Sequence, residues 1–305
     1  MQDPDPDFRP VPGMAEALTP GLRRIVANNP SPMTFRGTNT YLLGETGLAV
    51  IDPGPDDPAH LQAILSAVGP GQRITHVLVT HAHLDHSPLA RPLAEATGAP
   101  VLGFGPATAG RSPVMAGLAA GGLVGGGEGV DAAFAPDITL ADGAELEGAG
   151  WRITALHTPG HMANHLSFAW GDTLFTGDLV MGWASSLVSP PDGDLTAFMD
   201  SLRRLRQHRW QLFHAGHGAP VTDPMARLAA LYDHRMAREA AIVAALADGP
   251  ADAPGLARRI YTDVPTALLP AAERNVLAHL IDLTQTGRAK PEGQLTAHAR
   301  FALTG

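Results

Sequence analysis

"THAHLDHSP", residues 80–88, places three histidines and an aspartate within six positions. The whole chain has 305 residues, fourteen histidines and no cysteine, so this is a marked concentration. Imidazoles this close repel one another when protonated, and electrostatics alone disfavours the cluster. It makes sense if another positive charge takes the place of the protons. A divalent metal does this, because neutral imidazole and carboxylate are its ordinary nitrogen and oxygen ligands.

The surroundings of the cluster place it in a fold. "RITHVLVT", 73–80, is a short β-branched apolar run that reads as a buried strand, which puts the histidines on a loop at a strand's carboxyl end. "PLARPLAEATG" follows as a helix with Gly98 as its stop. Upstream, "TYLLGETGLAVI", 40–51, reads as two strands about a glycine-containing turn, ending in "DPG". Downstream the alternation repeats: "WRITALH", a hairpin of "HLSFAW" and "TLFTGD" about Gly171-Asp172, a helix from Asp194, and "WQLFHAGHG" as strand and loop.

From Thr222 the pattern becomes helical. Asp223-Pro224 is an N-cap with proline at the first helical position, and an amphipathic helix runs on to Asp248. Two further helical stretches follow, then two extended pieces about a Pro-Glu-Gly turn, the element order of a winged helix. The expected domains are therefore 1–221, with 1–20 as a flexible acidic, proline-rich tail, and 222–305. The glycine-rich stretch 117–131 reads as a loop, and lacks the Lys-Ser/Thr of a phosphate loop.

Composition narrows the function. Hydrophobic residues make up 45% and charged residues 17%, which suits a globular chain with a sizeable core. No apolar run approaches a membrane span. The amino terminus has neither the basic nor the apolar region of a signal peptide, so cytoplasm is the default compartment. Net charge is −9; residues 222–305 hold nine Arg/Lys and nine Asp/Glu, so the deficit lies in 1–221. That argues against a strongly basic nucleic-acid face on either part.

An H-x-H-x-D-H loop cannot aim all four side chains at one ion. His81 and His83, two apart, converge on one metal, while Asp85 and His86 point to a second. Partners from elsewhere are needed, and His161 in "TPGH", Asp178 in "TGD" and His217 in "GHG" each follow an expected strand. This series, in this order, resembles the metallo-β-lactamase superfamily, with "GTNTYLLG" and "VIDPG" similar to its first strands. The helical tail resembles the winged helix of its lactamase-β-2-like branch. The fold implied is α+β: an αββα metallo-β-lactamase-like sandwich followed by a C-terminal winged-helix domain.

The resemblance further implies that His81, His83 and His161 hold one ion and Asp85, His86 and His217 the other, with Asp178 bridging. The cofactor is then two divalent ions, zinc foremost, with iron and manganese as alternatives. Two such ions about 3.5–4 Å apart sustain a hydroxide at neutral pH, and Asp85 orients it and takes up its proton. Asp52 reads as a carboxylate steadying the metal loop. His165 reads either as a leaving-group acid or as a residue supporting the ligands.

The β-lactamases of the superfamily use a cysteine ligand or lack the bridging aspartate, so Asp178 points to a thioester, lactone or phosphodiester. The expected partner is a small-molecule ester or thioester. Two other classes stand beside this one: a mononuclear iron persulfide dioxygenase, and a winged-helix nucleic-acid-binding protein or endoribonuclease acting on RNA. A homodimer through the C-terminal domain suits the winged helix better than DNA does.

Overall fold

The computed structural model describes residues 5–126, 129–262 and 264–304. Its first sheet has strands β1 (Glu16–Thr19), β2 (Leu22–Val26), β3 (Asn39–Leu43), β4 (Gly47–Ile51), β5 (Arg73–Leu78), β6 (Val101–Gly103) and β7 (Ile138–Thr139), in that spatial order. Pairing is antiparallel from β1 to β4 and parallel from β4 to β7. Helices α1 (Pro58–Ser66) and α2 (Ala90–Thr97) are crossovers of its parallel half. The second sheet runs β12-β11-β10-β9-β8, from β8 (Glu145–Gly148), β9 (Trp151–His157), β10 (Leu166–Trp170), β11 (Thr173–Gly177) and β12 (Leu212–Ala215). Only β11–β12 is parallel there. Helix α3 (Pro113–Ala120) precedes the second sheet, and α4 (Leu195–Leu205) joins β11 to β12.

The alternation of side chains along β3, β4 and β5 builds the layers. Tyr41, Leu43, Ala49, Ile51 and Leu78 face the second sheet, where they meet Ile153, Leu166, Phe168 and Phe175. Leu42, Val50, Val77 and Val79 face the other way, onto Ile64 of α1 and Leu93 of α2. On the far side of the second sheet, Leu174 and Phe213 pack against Phe198, Leu202 and Leu205 of α4. The order is helix, sheet, sheet, helix.

The carboxyl-terminal part comprises α5 (Pro224–Leu246), α6 (Ala253–Ile260), a 3-10 turn Thr266–Leu268, α7 (Leu269–Gln285) and the antiparallel pair β13 (Ala289–Pro291) and β14 (Phe301–Leu303). Asp223 caps α5 by accepting from Ala226 N, ahead of Pro224. This helix belongs to two cores. Leu228 and Leu231 pack with α4 and the second sheet, whereas Ile242 and Leu246 pack with α6 and α7.

Two expectations are corrected. Within the supposed tail 1–20, Glu16–Thr19 forms an edge strand and Phe8 is buried. Its sequence, EALT, shows no clear alternation, and pairing with β2 makes the strand. The supposed loop 117–131 begins as helix, since α3 runs through Ala120 with Met115 and Leu118 buried against the C-terminal core. Gly127 and Glu128 of that stretch lie outside the described residues.

Candidate metal centre

The seven expected ligands come from loops at the carboxyl ends of β5, β9, β11 and β12. The sheets are tied where these loops meet. Leu166 N–H donates to Thr80 O and Asn39 N–H to Gly216 O, each at 2.7 Å. All seven are buried, and they form two groups: His81, His83 and His161; and Asp85, His86, Asp178 and His217. Within each group the donor atoms lie within 4.8 Å of one another.

The atoms behind the rings decide which nitrogen faces inward. His86 Nδ1 donates to Asp52 Oδ2 (2.8 Å), His161 Nδ1 to Leu187 O (2.8 Å) and His217 Nδ1 to Gly37 O (3.2 Å). His81 Nδ1 lies 2.9 Å from Thr80 Oγ1, whose hydroxyl donates to Asp52 Oδ2 at 2.8 Å. Each of these rings thus turns Nε2 to the centre, and His83 turns Nδ1. Outer partners of this kind fix tautomer and ring orientation in metal sites. Asp52 also accepts from Thr80 N (2.7 Å), so one carboxylate braces the loop and a ligand together.

The inward atoms stand at hydrogen-bonding distance, but one proton on His83 Nδ1 can serve only one of its two neighbours. His83 Nδ1 stands 2.9 Å from His81 Nε2 and 3.0 Å from His161 Nε2. With no proton between them, three lone pairs at such range repel. Both oxygens of Asp85 and Oδ1 of Asp178 are buried without a hydrogen-bond donor of good geometry, although His217 Nε2 is 3.1 Å from Asp85 Oδ2. Buried acceptors without donors are costly, and a cation between the donors answers both anomalies. The residues present fit a pair of divalent ions, one with three nitrogens and one with two nitrogens and carboxylate oxygens.

Asp178 stands between the groups. Its Oδ1 is 3.4 Å from His86 Nε2, and its Oδ2 is 3.3 Å from His217 Nε2 and 3.7 Å from His161 Nε2. Gly216 makes room for it: a Cβ there would meet Asp178 Oδ1 at 2.3 Å.

Charge divides the same way. Burial pushes the pKa of His83 down to about 3, assisted by His161 beside it. Burial opposes charge on His217 too, but Asp178 and Asp85 overcome it and hold its pKa up at about 10. His86 is raised likewise against burial, by Asp85, Asp178 and Asp52. Burial alone would raise the Asp85 and Asp178 carboxyls. His86 and His217 instead hold both below the usual carboxylate range. The carboxylates thus favour positive charge in the four-residue group, while burial and mutual repulsion disfavour protons on the three histidines of the other.

Of the two readings of His165, leaving-group acid or support for the ligands, its surroundings favour the second. Its side chain is fully buried, Nδ1 lies 3.0 Å from Thr158 Oγ1, and Nε2 accepts from Asp178 N (3.3 Å). Both ring nitrogens are engaged, and the ring backs the aspartate loop. At Gly177, with φ of 47°, a Cβ would meet His165 Nε2 at 2.6 Å, so the turn and the imidazole fit only together.

A cavity of about 910 Å³ opens over the centre, with His83, Asp85, His161, Asp178 and His217 on its floor. Phe35, Met181, Trp183 and Leu187 form one apolar wall, and the rings of Phe35 and Trp183 stack at 5.0 Å. The opposite wall was not legible in sequence: Tyr261, Val264, Leu268, Ala271 and Asn275 of the C-terminal domain. Where sequence alone points to a dimer or nucleic-acid module, that domain contributes to the centre of its own chain.

Residues 33–212 match the model of the Metallo-beta-lactamase superfamily. The chain belongs to that superfamily. Residues 253–298 match the Beta-lactamase associated winged helix domain, leaving α5 between the two matches. A "Beta-lactamase-like protein 2 homolog" of Drosophila melanogaster is 31% identical over 288 residues, covering 90% of this chain and 91% of that protein. An "Atrochrysone carboxyl ACP thioesterase" of Aspergillus chevalieri is 30% identical over 246 residues, 78% of this chain and 69% of that protein. Among solved structures, a metallo-beta-lactamase family protein from Thermus thermophilus superposes with a TM-score of 0.75 at 27% identity, covering 94% of this chain and 100% of that one. A beta-lactamase domain protein from Burkholderia ambifaria shares the fold at 24% identity, with a TM-score of 0.81 and coverage of 99% and 96%. Members of the superfamily are typically hydrolases. Among the described residues, no helix is long and apolar enough to cross a membrane.

Proposed function

We propose that this superfamily member is a binuclear metal-dependent hydrolase of small-molecule thioesters with an apolar acyl group, and that zinc is the metal. His81, His83 and His161 hold one ion, Asp85, His86 and His217 the other, and Asp178 spans both. What supports this most is the Asp178 carboxylate standing between two donor groups at the floor of a largely apolar cavity.

When bound, two divalent ions supply an activated water at neutral pH and a Lewis acid for the scissile carbonyl. The chain's own groups do the rest. Asp85 has two oxygens without donors and lines the cavity, so it orients the attacking water and receives its proton. The walls of Phe35, Trp183, Leu187 and Leu268 take the acyl portion and exclude bulk water. With His165 walled off, the leaving group departs without help from that imidazole. A thiolate, whose conjugate acid has a pKa of about 8.5, leaves this way far more readily than an alkoxide. The printed name of the Aspergillus chevalieri relative, a thioesterase, supports the same class.

The test is a substrate panel on metal-loaded protein: acyl thioesters of increasing apolar size, a lactone, an activated phosphodiester, a β-lactam, and a persulfide with oxygen monitored. Thioester turnover is expected, with kcat/KM rising as the acyl group grows to fill the cavity. Fast β-lactam opening, or oxygen uptake with one iron per chain, would overturn the proposal.

A further inference from the structure

Helix α5 presents a charge where its buried stripe calls for an apolar residue. Leu228, Leu231, Arg235, Glu239, Ile242 and Leu246 follow one another at intervals of three and four and are all buried. Glu239 pairs with Arg288. Arg235 is 2% exposed, and among the described residues it pairs with no carboxylate. Its guanidinium lies 5.1 Å from the Phe198 ring, and Nε has no acceptor. Burial pushes its pKa down to about 10. Apolar side chains of similar volume commonly stabilise such a position better, so the function of Arg235 should lie in what it holds.

It holds the back of the metal centre. Arg235 Nη2 donates to Ser186 O, and Nη1 donates to Asn275 Oδ1 at 2.9 Å. The same Asn275 oxygen accepts from Val188 N at 3.2 Å. The residue between, Leu187, gives its carbonyl to His161 Nδ1 at 2.8 Å. Ser186 Oγ donates to Leu179 O (2.8 Å), next to Asp178. Eight residues before Arg235, on the same helix, Arg227 donates to Met181 O (2.7 Å) and Ala184 O (2.6 Å). Residues 181–188 are thus gripped by two guanidinia and an amide on one side. On the other they fix the tautomer and direction of a ligand imidazole.

We infer that Arg235 and Asn275 of the C-terminal domain are positioning residues for the three-histidine group, acting on His161 through the Leu187 carbonyl. The domain thereby helps set metal affinity inside its own chain. The inference rests on metal binding at this centre and is independent of the thioester substrate.

The experiment measures metal affinity on the full chain, by chelator competition with zinc and with cobalt(II). Parent, Arg235→Met, Arg235→Lys, Asn275→Ala and the exposed control Arg259→Met are compared. In Arg235→Met, the affinity of one of the two ions should fall about 10–100-fold, the range found for loss of outer partners of metal ligands, while the other changes much less. In the cobalt protein, the Nδ1–H resonance of His161 should exchange faster with water. Arg235→Lys restores a donor to Ser186 O and should recover part of the loss. Asn275→Ala should shift the same ion by a smaller factor, and the control should shift neither.

Unchanged affinities in Arg235→Met, or an equal loss of both ions with no recovery in Arg235→Lys, would overturn the inference. If Arg235→Met does not fold, Arg235→Lys and Asn275→Ala decide by the same readouts. A parent chain that binds no divalent metal would remove the reading of the centre, and the clamp's role with it.

Discussion

Asp52→Asn is a nearly isosteric change that should weaken the centre without touching a ligand. Asp52 has φ of 51°, a left-handed conformation that asparagine tolerates, so little backbone strain accompanies the substitution. The carboxylate accepts three hydrogen bonds: from Thr80 N at 2.7 Å, and from Thr80 Oγ1 and His86 Nδ1 at 2.8 Å each. An asparagine keeps one oxygen for Thr80 N and turns its amide nitrogen toward the other two donors. Donor then faces donor. The neutral His86 ring, the form a metal binds, then favours its proton on Nε2, the atom that looks into the second group. That atom is then lost as a ligand unless the unfavourable tautomer is restored on binding. The expected penalty is about 10–100-fold in affinity for one ion, or about 1.4–2.8 kcal/mol. Loss of the charged acceptor should also destabilise the metal-free protein by about 1.5–3 kcal/mol. Chelator competition and urea unfolding measure the two effects, and heteronuclear spectra of the His86 ring report the tautomer. An Asp52→Asn protein with parental affinity and a His86 ring still protonated at Nδ1 would refute the reasoning.

Asp178→Asn should weaken both ions together, because the carboxylate reaches His86, His217 and His161 and a neutral amide cannot offset two cations; loss confined to one ion in metal analysis would contradict the bridge. His165→Ala should lower metal retention and activity through a displaced Asp178 loop while leaving the shape of the pH–rate profile intact; loss of one titrating limb with full metal content would return His165 to the role of proton donor. Metal uptake at pH 7.5 should release about one proton or more per chain, since His217, with a pKa of about 10 in the metal-free fold, gives up its proton to the ion. Its raised pKa makes the proton's contribution to metal-free stability complete below about 6.5 and lost as pH rises through about 10. Metal affinity should climb over the same window. Calorimetry in buffers of different ionisation enthalpy checks this, and zero net release would count against it.

What sequence made legible was whatever is local. Each ligand sits within a few residues of a strand end, so the motif and its structural setting are read from the same short stretch: "RITHVLVT" into "HAHLDH", "TLF" into "TGD", "QLFHA" into "GHG". Elements whose existence depends on a distant partner were not readable. Glu16–Thr19 is a strand because β2 lies beside it, and α3 survives its Gly117 because Met115 and Leu118 are buried against the C-terminal core. His165 shows the limit within the site. Its spacing from His161 suggested chemistry, but only the fold reveals that its two nitrogens are spoken for by Thr158 and Asp178.

The C-terminal domain was the least legible part of the function, although α5 carried a signal. An arginine at an apolar stripe position asks for a buried acceptor, and a single sequence cannot say which carbonyl answers it. The answer, Ser186, lies 49 positions away. That contact, together with Leu268, Ala271 and Asn275 in the cavity wall, makes the centre a product of two domains. The candidate ligands come from one domain, while a cavity wall and part of the bracing behind His161 come from the other. Under the thioester proposal, substitutions of Leu268 in the 3-10 turn or Ala271 in α7 should change acyl preference while leaving the seven candidate ligands and their bracing bonds untouched.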